Sequence, residues 1–181
     1  MYDNIERELK LLINEKVYNE LLHSYDFHNP ITQTNTYFDT ENQDVKKQRG
    51  AVRIRTIQDK KIFTLKIRKD EYTHYEFEKE ISTENINEIE DPEILNWFNQ
   101  YQIPKNLHPT ASFTTLRNVY AFENGELCLD KTYYKNHTDY EIEYEYTSDH
   151  DGIHFFNSIL EKYGLKWVKN GPSKIARALD D

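Results

Sequence analysis

Asp139-Tyr140-Glu141-Ile142-Glu143-Tyr144-Glu145-Tyr146 alternates between acidic and apolar side chains without a break. Successive residues of a β-strand point to opposite faces. This stretch therefore lays Glu141, Glu143 and Glu145 on one side and Tyr140, Ile142 and Tyr144 on the other. The same parity repeats along the chain. Residues 73–82 set Glu76, Glu78 and Glu80 against Tyr75, Phe77 and Ile81. Residues 60–68 set Thr64, Lys66 and Arg68 against Phe63, Leu65 and Ile67, and residues 51–57 set Arg53 and Arg55 against Val52 and Ile54. Near the start, Glu6, Glu8 and Lys10 share one face, with Ile5, Leu9 and Leu11 on the other. Residues 126–133 add Glu126, Cys128 and Asp130 against Leu127 and Leu129.

One wet face on an antiparallel sheet accounts for any single one of these strands. It accounts poorly for rows of uniform sign. Same-face neighbours stand only about 6.6 Å apart. Like charges about 4 Å apart repel by about 4 kcal/mol at an effective dielectric of 20, and less at this spacing and in water. Carboxylates gather around a hard divalent cation, and guanidinium and ammonium groups gather around phosphate oxygens. Both sets on one enclosed surface describe a metal–polyphosphate site.

The composition agrees with an interior that is partly ionic. Of 181 residues, 37% are hydrophobic, below the roughly 45–50% of ordinary domains. Aromatic residues make up 14%, which argues against disorder. Neither a repeat nor a biased linker interrupts the chain, so residues 1–181 read as one domain. The longest apolar run, Val119–Phe122, is far short of the about 20 residues of a membrane span. Met1-Tyr2-Asp3-Asn4 lacks the basic and apolar regions of a signal peptide. A single cysteine, Cys128, leaves no internal disulfide, and these features together point to the cytoplasm. The net charge of −9 opposes nucleic acid and anionic membranes as partners. A β-face binding single-stranded nucleic acid is further opposed because the aromatics fall opposite the arginines. An anionic ligand must meet cations gathered locally. Nothing in the sequence sets an oligomeric state.

The predicted elements are strands over 4–13, 34–39, 51–58, 60–68, 73–82, 112–122, 126–133 and 139–146, with a short strand over 166–168. Turns fall at Asp59-Lys60 and Asn124-Gly125. Helices follow Asn14, open at Asp91-Pro92, start at Ser148 or Asp149 and end at Gly164, and close the chain over 172–179. The class is α+β. The seven histidines, His74 among them, are scattered and read as surface residues. Cys128 falls on the charged face with no motif that makes it a nucleophile.

Glu6-x-Glu8-x-Lys10 resembles the signature of the CYTH superfamily, the triphosphate tunnel metalloenzymes. The rest follows in family order: Thr36-Tyr37-Phe38-Asp39-Thr40, Val52-Arg53-Ile54-Arg55, Thr64-Leu65-Lys66, the acidic strand from Glu76, the lone Arg117, Leu127-Cys128-Leu129-Asp130, Glu141-Ile142-Glu143, and Ser173-Lys174 with Arg177. The chain is similar in particular to a small Gram-positive bacterial branch often labelled adenylate cyclase. Lys79 departs from other branches, which often place an arginine among these glutamates.

The resemblance implies an eight-stranded antiparallel β-barrel, a tunnel with a charged interior and helices packed outside. It implies that Lys10, Arg53, Arg55, Lys66, Arg117 and Lys174 bind a triphosphate. Glu6, Glu8, Asp130, Glu141 and Glu143 would hold Mg²⁺ or Mn²⁺. Glu6, Glu8, Lys10 and Lys66 would carry the catalysis. The implied activity is metal-dependent hydrolysis of inorganic triphosphate or a small organic or nucleoside triphosphate. The alternatives are a class IV-type adenylate cyclase making cAMP from ATP, or a polyphosphate- or nucleotide-binding module without catalysis.

Overall fold

The computed structural model describes residues 4–181; the Met1-Tyr2-Asp3 part of the N-terminal reading lies outside them. The elements run β1 (Ile5–Ile13), α1 (Glu15–Ser24), β2 (Ile31–Asp39), α2 (Asp44–Lys47), β3 (Gly50–Ile57), β4 (Lys60–Arg68), β5 (Thr73–Ile81), a single 3-10 turn (Ile86–Glu88), α3 (Pro92–Gln100), β6 (His108–Ala121), β7 (Gly125–Tyr133), β8 (Thr138–Tyr146), α4 (Gly152–Glu161) and α5 (Lys174–Leu179). The strands close a barrel in the cyclic order β1-β5-β4-β3-β2-β6-β7-β8. Every pairing is antiparallel. Closure leaves no unpaired sheet edge. The seam is short: β1 meets β5 through Ile5↔Tyr75, Glu6↔His74 and Arg7↔Thr73.

The barrel is inverted, as its parity implies. Apolar faces look outward, under helices. One layer packs Val52, Ile54, Phe63, Leu65 and Phe77 of β3–β5 against Ile94, Trp97 and Phe98 of α3. The other packs Leu9, Leu127, Leu129 and Ile142 of β1, β7 and β8 against Val17 and Leu21 of α1 and Phe156 and Leu160 of α4. The helices start where the sequence places caps. Asn14 accepts from the Val17 amide at 2.9 Å, and Asp91 accepts from the amides of Glu93 and Ile94, with Pro92 in the first turn.

Several local expectations are corrected. The β3–β4 turn is Gln58-Asp59, one residue earlier than predicted, because Gln58 takes the left-handed conformation (φ 53°) and Lys60 already pairs with Ile57. β2 and β6 begin three and four residues sooner than predicted: Ile31, Thr32 and Gln33 already pair with Arg117, Leu116 and Thr115, and a register shift after Tyr37 skips Thr110 so that Pro109 pairs with Phe38. Asp151, not Ser148 or Asp149, caps α4 by accepting from the His154 amide at 3.1 Å. Residues 166–168 form no strand; the Asn157 side chain holds Trp167 instead, accepting from its amide at 2.7 Å and donating to its carbonyl at 3.3 Å. The short α2 was not foreseen. Buried Asp39 organises it, accepting from the amides of Val45 at 2.9 Å and Lys46 at 3.1 Å.

Phe63 lies fully buried on the outer face of β4, stacked on Trp97 at 6.2 Å and edge-on to Phe98 at 5.5 Å. Phe63→Ala should therefore cost about 3–5 kcal/mol, read as a lower urea midpoint. The charged inner face should keep its arrangement, because the residue faces away from the tunnel.

Candidate functional site

The inward parity of seven of the eight strands, all but β7, converges on a cavity of about 820 Å³ that opens to solvent. Glu6, Glu8, Lys10, Arg53, Arg55, Lys66, Arg117, Glu143 and Lys174 all line it. Asp130 and Glu141 do not; they lie behind Arg117 and Lys174, at 0% and 2% exposure. The lining divides into three groups.

The first belongs to β1, β4, β5 and β8. The Lys66 ammonium contacts Glu6 and lies 2.9 Å from Glu8 and 3.8 Å from Glu76. Lys10 approaches Glu8 at 3.7 Å. Burial and the Glu8 carboxylate push Glu6 well above the usual carboxyl range, against the pull of Lys66. Burial also opposes the charge on Glu8, yet Lys66 and Lys10 outweigh it and bring that group down to about 2. Burial, with Glu76 and Glu8 nearby, pushes Glu145 up to about 7. Acid is thus in excess here. His74 stands opposite Glu6 across the seam, its Nδ1 3.9 Å from Glu6 Oε2, and burial and Lys66 pull it down to about 4. It is a tunnel residue, not the surface residue expected. The signal was available, since His74 shares parity with Glu76.

The second group joins β6, β7 and β8 to α5. Arg117 grips Asp130 with two bonds, 2.8 and 2.7 Å, and reaches Glu143 at 2.6 Å. Lys174 contacts Glu143 and lies 2.6 Å from Glu141 and 2.9 Å from Asp130. Arg177 adds bonds to Asp139 at 2.8 Å and Glu141 at 3.0 Å. Ser173 caps α5 through the Ala176 amide. Upstream, the Asn170 side chain accepts from the Lys10 amide at 2.8 Å and donates to the Glu8 carbonyl at 2.9 Å. That clasp ties the C-terminal segment to β1. Burial works against the Glu143 charge, but Lys174 and Arg117 outweigh it and hold the group well below the usual range.

The third group, on β2 and β3, is basic. Arg53 donates to Thr64 at 2.9 Å and to Glu78 at 3.4 Å. Arg55 donates to the Asn35 amide oxygen at 2.8 Å. Among the described residues, no carboxylate lies within ion-pair distance of Arg55. Burial, Arg53 and Arg117 together pull its guanidinium down to about 10. Tyr37 faces inward opposite Arg53 and stacks on Phe113 at 5.4 Å. Burial would raise its hydroxyl, but Arg53 and Arg55 outweigh burial and lower it. The expectation that aromatics keep to the face opposite the arginines fails here. Gln33, Asn35 and Tyr37 share one parity, but uncharged side chains carry no row of like charge to mark their face as the inner one.

The glutamate row of β5 divides. Glu76 and Glu78 line the cavity, while Glu80 is exposed near Lys60 at 3.9 Å. Lys79 points outward and clamps the start of α3, 2.9 Å from Asp91 and 2.8 Å from Glu93. Burial pushes the Cys128 thiol far up, so it is inert.

Among the described residues, two clusters have the reach to hold a metal ion: Glu6, Glu8 and His74, and Asp130, Glu141 and Glu143. Arg117, Lys174 and Arg177 already neutralise the second. The first carries unbalanced acid and the His74 Nδ1, a buried atom with no hydrogen-bond partner. Its donors therefore fit a divalent cation.

The CYTH domain model matches residues 4–178. The chain is similar to the Bacillus subtilis protein named "Putative triphosphatase YjbK", with 28% identity over 91% of this chain and 90% of that one. A crystal structure from Bacillus halodurans, described as a "putative adenylate cyclase", superposes with TM-score 0.83 at 28% identity, covering 96% of this chain and 98% of that one. HpAC1 from Hippeastrum, named a "putative adenylyl cyclase" and described as having a dominant triphosphatase activity, superposes with TM-score 0.77 at 24% identity, covering 97% of this chain and 95% of that one. At that identity the likeness speaks for the fold. No helix of the described chain is long and apolar enough to cross a membrane.

Glu145 gives a pH test. Its folded-state value of about 7 exceeds the ordinary 4.5. The folded chain therefore keeps a proton that the unfolded chain releases. The resulting stability is full below pH 4.5 and lost as pH rises through about 7. Glu145→Gln should be more stable than wild type at pH 8, by about 1–3 kcal/mol, and no more stable at pH 4. Denaturant midpoints at the two pH values check this.

Proposed function

The chain belongs to the CYTH domain family, and from that premise we propose that it is a metal-dependent triphosphatase acting on inorganic triphosphate or a small organic triphosphate. The observation that carries the reading is Arg55. A cation inside a cavity without a carboxylate partner is costly, and an anionic ligand removes the cost. The β2–β3 side of the tunnel then takes phosphate oxygens through the planar forks of Arg53 and Arg55. Lys10 and Lys66 supply point charge from the facing side. Asp130 and Glu141 act at one remove: they hold Arg117 and Lys174, and so fix where those cations meet the polyanion.

Glu6 and Glu8 would hold Mg²⁺ or Mn²⁺, which would supply neutralisation of the charge that builds on the phosphate oxygens. Binding needs Lys66 to release part of its contact with Glu6 and Glu8 and turn to the phosphate. Water then attacks the terminal phosphorus, the new P–O bond forms, the bridging P–O bond breaks with its electron pair on the leaving phosphate oxygen, and the water's proton passes to that oxygen or to solvent. The shortened polyphosphate and orthophosphate leave. The neighbouring name of triphosphatase, carried by YjbK at 28% identity over most of both chains, agrees with this chemistry.

The assay is phosphate release from triphosphate, ATP and thiamine triphosphate, with Mg²⁺ and Mn²⁺ separately and with chelator, alongside cAMP detection. Orthophosphate is expected only with metal; cAMP without orthophosphate would replace this reading with a cyclase. Lys66→Ala and Glu6→Gln should abolish turnover in folded protein. Arg55→Ala should lower kcat/KM for triphosphate at least about a hundredfold while changing the melting temperature little, since relief of the unpaired buried charge offsets the hydrogen bond that Asn35 loses.

A further inference from the structure

The Glu6–Glu8 cluster contains a donor that is not an oxygen. His74 stands directly opposite Glu6 where β1 and β5 close the barrel. Its ring lies mostly within the tunnel wall, 17% exposed, and lines the cavity. Its Nδ1 is buried and makes no hydrogen bond, and at 3.9 Å from Glu6 Oε2 it is too far to make one. A buried imidazole nitrogen is ordinarily satisfied by a neighbour. The ligand atoms of Glu6, Glu8 and His74 lie within 4.8 Å of one another. Around an octahedral Mg²⁺-sized ion, opposite ligands stand about 4.2 Å apart. Once Lys66 turns from Glu6 and Glu8 to the phosphate, the three groups need a small contraction to share one ion.

We propose that His74 Nδ1 is a ligand of the divalent cation held by Glu6 and Glu8, and that this nitrogen makes the site favour Mn²⁺ over Mg²⁺. Mn²⁺ takes carboxylate oxygens as Mg²⁺ does, but it is the first member of the transition series whose affinity for nitrogen donors exceeds that of Mg²⁺, which keeps to oxygen. Replacing one oxygen position by nitrogen therefore raises affinity for Mn²⁺ and does little for Mg²⁺. The ligand also fastens the seam, because Glu6 and His74 belong to the two strands that close the barrel by three residue pairs. The inference rests on the metal-dependent reading above in taking a divalent ion as resident.

The experiment uses the full chain loaded with Mn²⁺ alone. Pulsed EPR of the wild type should show modulation from a directly bound nitrogen. His74→Ala and His74→Gln should lose it. Calorimetry should show Mn²⁺ affinity falling roughly tenfold or more in His74→Ala, with Mg²⁺ affinity nearly unchanged. Nothing loses a hydrogen-bond partner at Nδ1, so the variants should fold, and thermal melts check this. The wild-type spectrum decides even without them. Bound Mn²⁺ with no nitrogen modulation overturns the proposal, as does modulation that survives both substitutions. Metal-dependent phosphate release measured on the same samples separates the failures. Hydrolysis with no nitrogen signal removes His74 alone, whereas no metal binding and no hydrolysis removes the triphosphatase reading with it.

Discussion

A carboxylate or an ammonium taken out of water costs several kcal/mol unless an opposite charge meets it, and the tunnel is organised around that cost. Asp130 is fully buried and tolerates burial because Arg117 grips both its oxygens while Lys174 closes on one of them. Glu143 is shared by the same two cations. The balance does not hold around the whole circumference. It tips toward acid where β1, β5 and β8 meet and toward base on β2 and β3. An anion bound on one side and a divalent cation on the other correct both excesses at once. A metal–triphosphate complex carries the two in one ligand.

The same constraint shapes the outside. With charge turned inward, the apolar faces of the strands need cover elsewhere, and α1, α3 and α4 supply it. The low apolar fraction of the chain follows, since the barrel's lumen is not a greasy core. Closure matters for the same reason. A charged inner face open at an edge would hydrate and lose the close pairing that the clusters show.

Strand parity made most of the tunnel legible, because a period of two needs no knowledge of partners. Glu6, Glu8, Arg53, Arg55, Lys66 and Glu143 all turn inward as their alternation requires. Parity does not say which strands become neighbours. The order β1-β5-β4-β3-β2 departs from simple hairpins at the seam, so the meeting of Glu6 with His74 was out of reach of local reading. Nor does parity say whether an inward carboxylate is open to a ligand. Asp130 and Glu141 share the inward face with Glu143, yet Lys174, arriving from far down the chain, covers them. Lys79 shows the converse: its odd parity sent it outward, where it braces α3 instead of serving the tunnel.

Hydrolysis asks less of this tunnel than cyclisation. Water needs only a path to the terminal phosphorus of a held polyphosphate. Cyclisation needs a nucleoside held as well, with its 3′-hydroxyl turned to the α-phosphate and its base fixed in place. A base wants a free aromatic face beside the phosphate cations. Tyr37 is the aromatic residue that stands opposite Arg53. Its ring is already stacked on Phe113 and only 9% exposed, and its hydroxyl end lies under the influence of Arg53 and Arg55. It serves the arginines rather than a base. The groups that converge in the lumen address phosphate charge, and phosphate charge is what a triphosphatase must bind and neutralise.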